Sequence, residues 1–133
     1  MFDEVQATST EHAERAVIGA ALDDRSAIRW AAERVTADDF SSATLGAVWT
    51  VLYARWKGGD PTDPISMDGA LRGVVPGYQP GGVFDLMNAA TIGGKAGHWA
   101  EIIAEGAKRR RAIEAGSRLV NNASQGDLAD ALA

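Results

Sequence analysis

The chain of 133 residues contains no cysteine, which removes several classes of protein at once. Without cysteine there is no disulfide framework, no thiolate metal site and no cysteine nucleophile. Positive charge is also scarce: 13 Lys and Arg stand against 18 Asp and Glu, and the net charge of −5 disfavours strong direct binding to DNA. No apolar run approaches the roughly 20 residues that span a bilayer, and the polar, acidic N-terminus is unlike a signal peptide. We therefore expect a cytoplasmic protein with no membrane association.

The apolar residues that are present recur at the spacing of an α-helix. The clearest stripe follows Ser41 and Ser42, which are typical N-cap residues, and ends before Gly58. It predicts a central helix with two tryptophans on its inner face, made of Leu45, Val48, Trp49, Leu52, Tyr53 and Trp56. We expect this helix to be the packing centre of the domain, with Phe40 inserted into the same core. Trp30 lies off the stripe of its own helix, and a half-buried edge position is favoured over a contact surface.

The remaining helices are shorter or less regular. Ser9 or Thr10 is the predicted N-cap of the first helix, and Ser66 that of a short helix. Spacing and caps predict helices at about 10–22, 26–35, 67–73, 83–87, 97–122 and 128–133. No segment has the alternating pattern of a strand. The sequence thus predicts an all-α fold, with a loose tail over residues 1–8, a compact multi-helix head over 9–95, and a long helix over 96–133 that opens a truncated helical hairpin leading to a linker.

Motifs that would carry catalysis or bind a cofactor are incomplete. Gly93-Gly94-Lys95 resembles the end of a phosphate-binding loop, but Ala89 occupies the position of the first glycine and Ala96 that of the magnesium-binding hydroxyl. His12 and His98 each stand alone, without the spacing of a metal or catalytic constellation. We therefore expect no catalytic residue, no metal and no cofactor in this chain. A small helical hydrolase remains an alternative, which requires a polar pocket holding a clustered acid–base pair.

One basic cluster, Lys108 to Arg111, lies within the long predicted helix. Successive residues of a helix point about 100° apart, so these charges surround the helix rather than line one groove. A solvated helix, a phosphate contact and a protein interface all fit this pattern. We favour a protein interface, because the surrounding sequence is acidic.

Several stretches, taken together and in order, resemble the N-terminal domain of DnaB-type replicative helicases. The stretch from Glu11 to Leu22 is similar to the family's opening Glu-Ala-Glu-x-x-Val-Leu-Gly helix, and Ala32 to Phe40 resembles its second helix with an Asp-Phe exit. The match extends over about residues 9–125 and continues through Gly58–Asp63, Gly81–Leu86, Ala100–Ile103 and Arg110–Gly116. Lys108 and Arg109 stand where members of the family usually have two aliphatic residues.

The resemblance implies a helical head followed by a helical hairpin. In the family these domains pair through their hairpins into a trimer of dimers within a hexamer, and they dock the helicase-binding domain of primase and, in some systems, a helicase loader. ATP and magnesium belong to a separate motor domain. The implied role is assembly and primase interaction in DNA replication, and the candidate interface residues lie on the long helix: Trp99, Ile103, Lys108, Arg109, Arg110, Ile113, Leu119 and Val120.

An alternative is a free-standing helical adaptor, for example one encoded by a phage, that binds replication proteins. The two interpretations differ beyond residue 133. A helicase gene continues there into a linker and a phosphate loop, whereas the gene of an adaptor ends at a stop codon.

Overall fold

The computed structural model describes residues 2–90 and 96–125, and within these ranges the chain is all-helical with no strand. Six α-helices follow one another: α1 Phe2–Asp23, α2 Arg25–Ala32, α3 Ala43–Lys57, α4 Pro64–Leu71, α5 Gly82–Ala90 and α6 Ala96–Ser124. A 3-10 turn at Ala37–Asp39, here called the acidic turn, connects α2 to α3. The predicted all-α class and the long last helix are confirmed. The predicted helix at 128–133 and the Gly93-Gly94-Lys95 segment lie outside the described residues.

The helix boundaries correct the sequence prediction in several places. α1 begins at Phe2 rather than after a loose tail, so the predicted N-cap positions Ser9 and Thr10 lie inside the helix. α4 begins at Pro64 because Asp63, not Ser66, is its N-cap: the Asp63 side chain accepts the backbone N–H of Ser66 at 3.0 Å. Proline suits this first turn, since its missing N–H would have no helical partner there.

The packing centre is α1, and the prediction that α3 holds this position was wrong. α1 contacts every other helix, α2 through α6. Its residues Ala16, Val17 and Ile18 are completely buried on successive sides of the helix. Small side chains allow neighbouring helices to approach from several directions, whereas the large aromatic residues of α3 suit a helix that is covered on one side only.

The closest approach in the core occurs at Gly19, where α5 crosses α1. A Cβ atom added to Gly19 would stand 2.0 Å from the carbonyl oxygen of Leu86. Only glycine is compatible with this crossing, because any side chain would collide with the α5 backbone. α5 is thereby seated directly on α1, and its Val83 and Leu86 side chains are buried there.

An aromatic ladder extends from the acidic turn along α3. Phe40 stacks on Trp49 with 6.0 Å between ring centroids, Trp49 stacks on Tyr53 at 6.4 Å, and Tyr53 contacts Trp56 at 5.8 Å. Phe40 and Trp49 are buried, as predicted, whereas Tyr53 and Trp56 are only partly covered. The predicted inner face of α3 is therefore present, but Tyr53 and Trp56, at its C-terminal end, remain partly exposed.

The start of α3 is fixed by a buried carboxylate from α1. Glu14 is completely buried and accepts hydrogen bonds from the Ser41 hydroxyl at 2.5 Å and from the Ser42 N–H at 3.0 Å. The Ser42 hydroxyl in turn accepts the Leu45 N–H at 3.1 Å, which confirms Ser42 as the N-cap of α3. Glu14 thus joins α1 to the N-terminal cap of α3.

A second carboxylate, Asp68, holds the irregular segment between α4 and α5. One of its oxygens accepts the Tyr78 hydroxyl at 2.6 Å and the Gly81 N–H at 2.8 Å, and the other accepts Arg72 Nε at 2.9 Å. The Tyr78 hydrogen bond, followed by those of Gly81 and Arg72, lowers the pKa of Asp68. Burial, followed by the hydrogen bond to Asp68, raises the pKa of Tyr78 to about 12. Asp68 thus holds both ends of this segment, through Arg72 at its start and through Tyr78 and Gly81 near its end.

Candidate interaction surface on the long helix

The first third of α6 belongs to the core of the head. Ala100, Ile103 and Ala107 are completely buried, and Trp99 is 7% exposed. Their spacing of three and four residues places them on the one side of α6 that faces α1 and α2. Trp99 and Ile103, two of the predicted interface residues, therefore pack against the head of this chain rather than facing solvent.

The basic cluster comes next along α6, and its members have different environments. Lys108 is exposed and lies 3.6 Å from Glu105, one turn earlier on the same helix. Arg109 is exposed and lines an open groove of about 330 Å³ between α6 and α1, together with Glu105 and Thr10. Both side chains are exposed, and the same glutamate, Glu105, lies near Lys108 and lines the groove with Arg109.

Arg110 and Arg111 instead contact the acidic turn. Arg111 Nη2 lies 2.6 Å from the Asp39 carboxylate, and Arg110 Nη2 lies 3.3 Å from the Asp39 carbonyl oxygen. Arg110 was predicted as a partner contact, whereas its guanidinium donates within the chain. The Asp39–Arg111 pair was missed because 72 residues separate its members and no local pattern connects them.

From Arg111, the last residue of this contact, α6 leaves the head and forms an arm, defined here as residues 111–125. Every residue of the arm is exposed except the partly buried Asn122. Ile113 and Val120 are each 63% exposed and Leu119 is 42% exposed. Ile113 and Val120, seven residues apart, share one side of the helix. Leu119 lies about 100° around the helix from Val120. Within the arm, the arc between Leu119 and Val120 holds only small residues: Ala112, Gly116 and Ala123.

The arm therefore presents a continuous apolar face with nothing of the described chain packed on it. Its opposite side is polar and carries Glu114, Arg118 and Asn121. A helix with an apolar stripe normally buries that stripe against another element. The arrangement offers association rather than chemistry, because hydrophobic contact is its main available interaction.

Large apolar side chains are also exposed on the head, but none forms such a periodic face. Ile65 is 78% exposed, Val74 65% and Phe84 50%. Trp30 is 55% exposed, more than the predicted edge position implies, and the Arg34 guanidinium stands 5.6 Å from its ring.

The described part of the chain offers little that resembles a reactive centre. It contains no group of three or more His, Asp or Glu residues placed to hold a metal ion. His12 and Asp85 line a shallow groove of about 310 Å³ with Arg15 and Asn88. In the same ranges, no helix combines the length and apolar character needed to cross a bilayer.

Comparison with known proteins points to one family. The sequence profile described as "DnaB-like helicase N terminal domain" matches residues 6–105. The replicative DNA helicase DnaB of Mycobacterium leprae (strain TN) is 31% identical over 113 residues, covering 81% of this chain and 18% of that protein. The replicative DNA helicase DnaB of Leifsonia xyli subsp. xyli (strain CTCB07) is 29% identical over 110 residues, covering 80% of this chain and 24% of that protein.

A solved structure shares the fold as well as the sequence. The crystal structure of the N-terminal domain of DnaB helicase from Mycobacterium tuberculosis superposes with a TM-score of 0.77 at 28% identity and covers 91% of both chains. This chain spans only 18% and 24% of the two helicases it matches, in each case a small fraction of their length. The matched region, the helical head and the long last helix together identify the chain as a member of the DnaB-like helicase N-terminal domain family.

Proposed function

We propose that this chain serves as the assembly and primase-interaction domain of a replicative DNA helicase in the cytoplasm. The observation that carries the proposal is the arm, which directs an exposed apolar face away from a head of DnaB type. In this proposal, ATP and magnesium act only in a motor domain outside this chain. The chain itself supplies protein contacts alone.

The energetics of the arm support an interface. Burying a large aliphatic side chain contributes about 1.5–3 kcal/mol relative to leaving it exposed. Ile113, Leu119 and Val120 would together gain several kcal/mol from a covering helix, before the costs of association. The small residues between them allow the backbone of such a helix to come close.

The proposed occupants derive from membership in the family. They are a second copy of this domain, giving a dimer or a trimer of dimers in a parent hexamer, the helicase-binding domain of primase, and a helicase loader. Lys108 and Arg109 lie at the base of the arm and are placed to flank these contacts. Trp99, Ile103 and Arg110 have no part in the proposed contact, because they are engaged within the head.

Sedimentation velocity over a range of concentrations tests the self-association. We expect the weight-average sedimentation coefficient of the native chain to rise with concentration, and the double variant Ile113→Glu/Val120→Glu to remain monomeric. The matched control is Ile65→Glu/Val74→Glu, which places the same charges at two positions of similar exposure on the head.

The control should associate as the native chain does. A native chain that stays monomeric at every concentration, or a control that behaves as the arm variant does, would contradict the proposed interface.

A further inference from the structure

The contact between the basic cluster and the acidic turn lies where α6 leaves the head. Asp39 is 9% exposed, and both of its carboxylate oxygens are occupied. One accepts the Thr36 N–H at 2.9 Å, and the other accepts Arg111 Nη2 at 2.6 Å. Charge-assisted hydrogen bonds of this length are stronger and more directional than neutral ones.

Arg110 adds a second attachment to the same turn. Its Nη2 lies 3.3 Å from the Asp39 carbonyl oxygen and 3.5 Å from that of Asp38. Arg110 and Arg111 are adjacent on α6 and differ by about 100° in direction, so they reach the turn from two sides. Two attachments at an angle resist rotation of the helix about its own axis as well as its separation from the head.

The apolar contacts of α6 end just before this point. Ile103 and Ala107 are completely buried, whereas the exposed arm begins at Arg111. A single apolar stripe holds a helix against the head but leaves it able to tilt around its last contact, because hydrophobic contact is non-directional. The arm from Arg111 to Ser124 is about 20 Å long, so a tilt of about 10° would displace its tip by about 3 Å.

We propose that Asp39, Arg110 and Arg111 are positioning residues that set the direction in which the arm leaves the head. They do so by bracing α6 against the acidic turn, which is itself continuous with the Phe40 anchor in the core. A fixed arm direction matters for assembly, since a symmetric assembly requires every arm to point the same way. This consequence rests on the proposed function. The brace itself does not depend on any partner.

Electron paramagnetic resonance on the 133-residue chain tests the brace directly. The absence of cysteine allows two nitroxide labels to be placed without removing native residues, one on the exposed Ala54 of α3 and one on the exposed Asn121 of the arm. The doubly labelled protein is diluted in unlabelled chain, so that only intramolecular distances are recorded. We expect a single narrow distance distribution for the native background.

Arg111→Gln removes the charged contact at a half-exposed position and should broaden the distribution or shift its mean by about 3 Å or more. Arg111→Lys restores the charge and should recover part of the native width. Arg110→Gln, measured in parallel, should broaden it to a smaller extent. Arg118→Gln is the matched control, since it makes the same change one heptad further along the same side of α6, and it should leave the native distribution unchanged.

Equal distributions for the native chain, Arg111→Gln and Arg110→Gln would overturn the proposal. So would equal broadening by Arg118→Gln, because that result would mean that loss of any arm charge has the same effect. The distance measurement involves neither a primase nor a hexamer, so its outcome does not depend on whether the proposed function is correct.

Discussion

Among the glycines of the described chain, Gly19 has the closest neighbour to an added Cβ atom. Its position is dictated by the Leu86 carbonyl oxygen of α5, which would stand 2.0 Å from an added Cβ atom. The neighbouring atom is backbone rather than the end of a flexible side chain, so relief would require α5 to move away from α1. No local pattern indicates this constraint, because a glycine inside a helical pattern is usually only a weak point.

Gly19→Ala should therefore lower the free energy of unfolding by about 1–3 kcal/mol or more, as overpacked cores do. Urea denaturation followed by circular dichroism measures the change. The matched control is Gly69→Ala in α4, where an added Cβ has nothing within 4 Å. That substitution should stabilise the chain, by about 1 kcal/mol at most. Equal effects of the two substitutions would contradict the close crossing of α1 and α5.

Asp68 and Tyr78 are the residues whose ionisation is most clearly linked to the fold. The raised pKa of Tyr78 means that the folded state holds this proton more tightly than the unfolded state does. Its contribution to stability is complete below about pH 10, the ordinary pKa of tyrosine, and is lost as the pH rises toward 12. Asp68 acts in the opposite sense: its contribution is present above its ordinary pKa of about 3.9 and is lost as the pH falls through the lowered value.

Absorbance at 295 nm should detect a tyrosine that titrates near pH 12 in the folded chain. Tyr78→Phe should remove that step, whereas Tyr53→Phe, which changes the other tyrosine, should leave it in place. Asp68→Asn should move it to lower pH, because the acceptor that retains the Tyr78 proton becomes neutral. A native chain in which Tyr78 titrates near pH 10, the ordinary pKa of tyrosine, would contradict the contact.

Among the helices, the junction between α1 and α3 depends on the buried Glu14. This carboxylate satisfies the Ser41 hydroxyl and the Ser42 N–H, so it completes the N-terminus of α3 from a neighbouring helix. Both of its partners immediately precede α3, where the backbone N–H groups have no helical acceptor.

Glu14→Ala should lower the free energy of unfolding by about 1–3 kcal/mol, because it removes the acceptor of these two part-buried hydrogen bonds and empties the completely buried position of the Glu14 side chain. Thermal and urea denaturation report the loss. Glu11→Ala, an exposed position one turn earlier on the same helix, should change stability by less than about 0.5 kcal/mol. If the two variants were equally stable, the junction would not depend on this carboxylate.

The helices themselves could be predicted from local patterns, but their arrangement could not. The stripe of α3 and the Ser42 cap are local signals, since spacing and capping involve residues within a few positions of one another. The central place of α1 is not a local property. It depends on Ala16 and Gly19 being small enough to be approached from several sides, and a count of large apolar residues favours α3 instead.

The same limit applies to the candidate site. The exposed apolar residues Ile113 and Val120 were identified from spacing and family resemblance, whereas the burial of Trp99 and Ile103 depends on where α1 and α2 lie. The Asp39–Arg111 contact joins residues 72 positions apart. The sequence indicates an unusual charge cluster at this point, and only the fold reveals that two of its arginines face the chain itself.

The whole molecule combines a helical head, which holds the start of α6, with an arm that presents an exposed apolar face. The family profile matches residues 6–105, and the similar solved DnaB N-terminal domain covers 91% of the chain. The arm lies beyond the end of the profile match. We propose that assembly and primase contact depend on the arm, because the arm presents the exposed apolar face.

Isothermal titration calorimetry with the helicase-binding domain of the primase from the same genome tests whether the arm contacts primase. The native chain and the Ile65→Glu/Val74→Glu control should bind with the same affinity, whereas Ile113→Glu/Val120→Glu should bind about tenfold more weakly or not at all, because two exposed aliphatic contacts are lost. Absence of binding by the native chain, or equal affinity of all three proteins, would contradict the account.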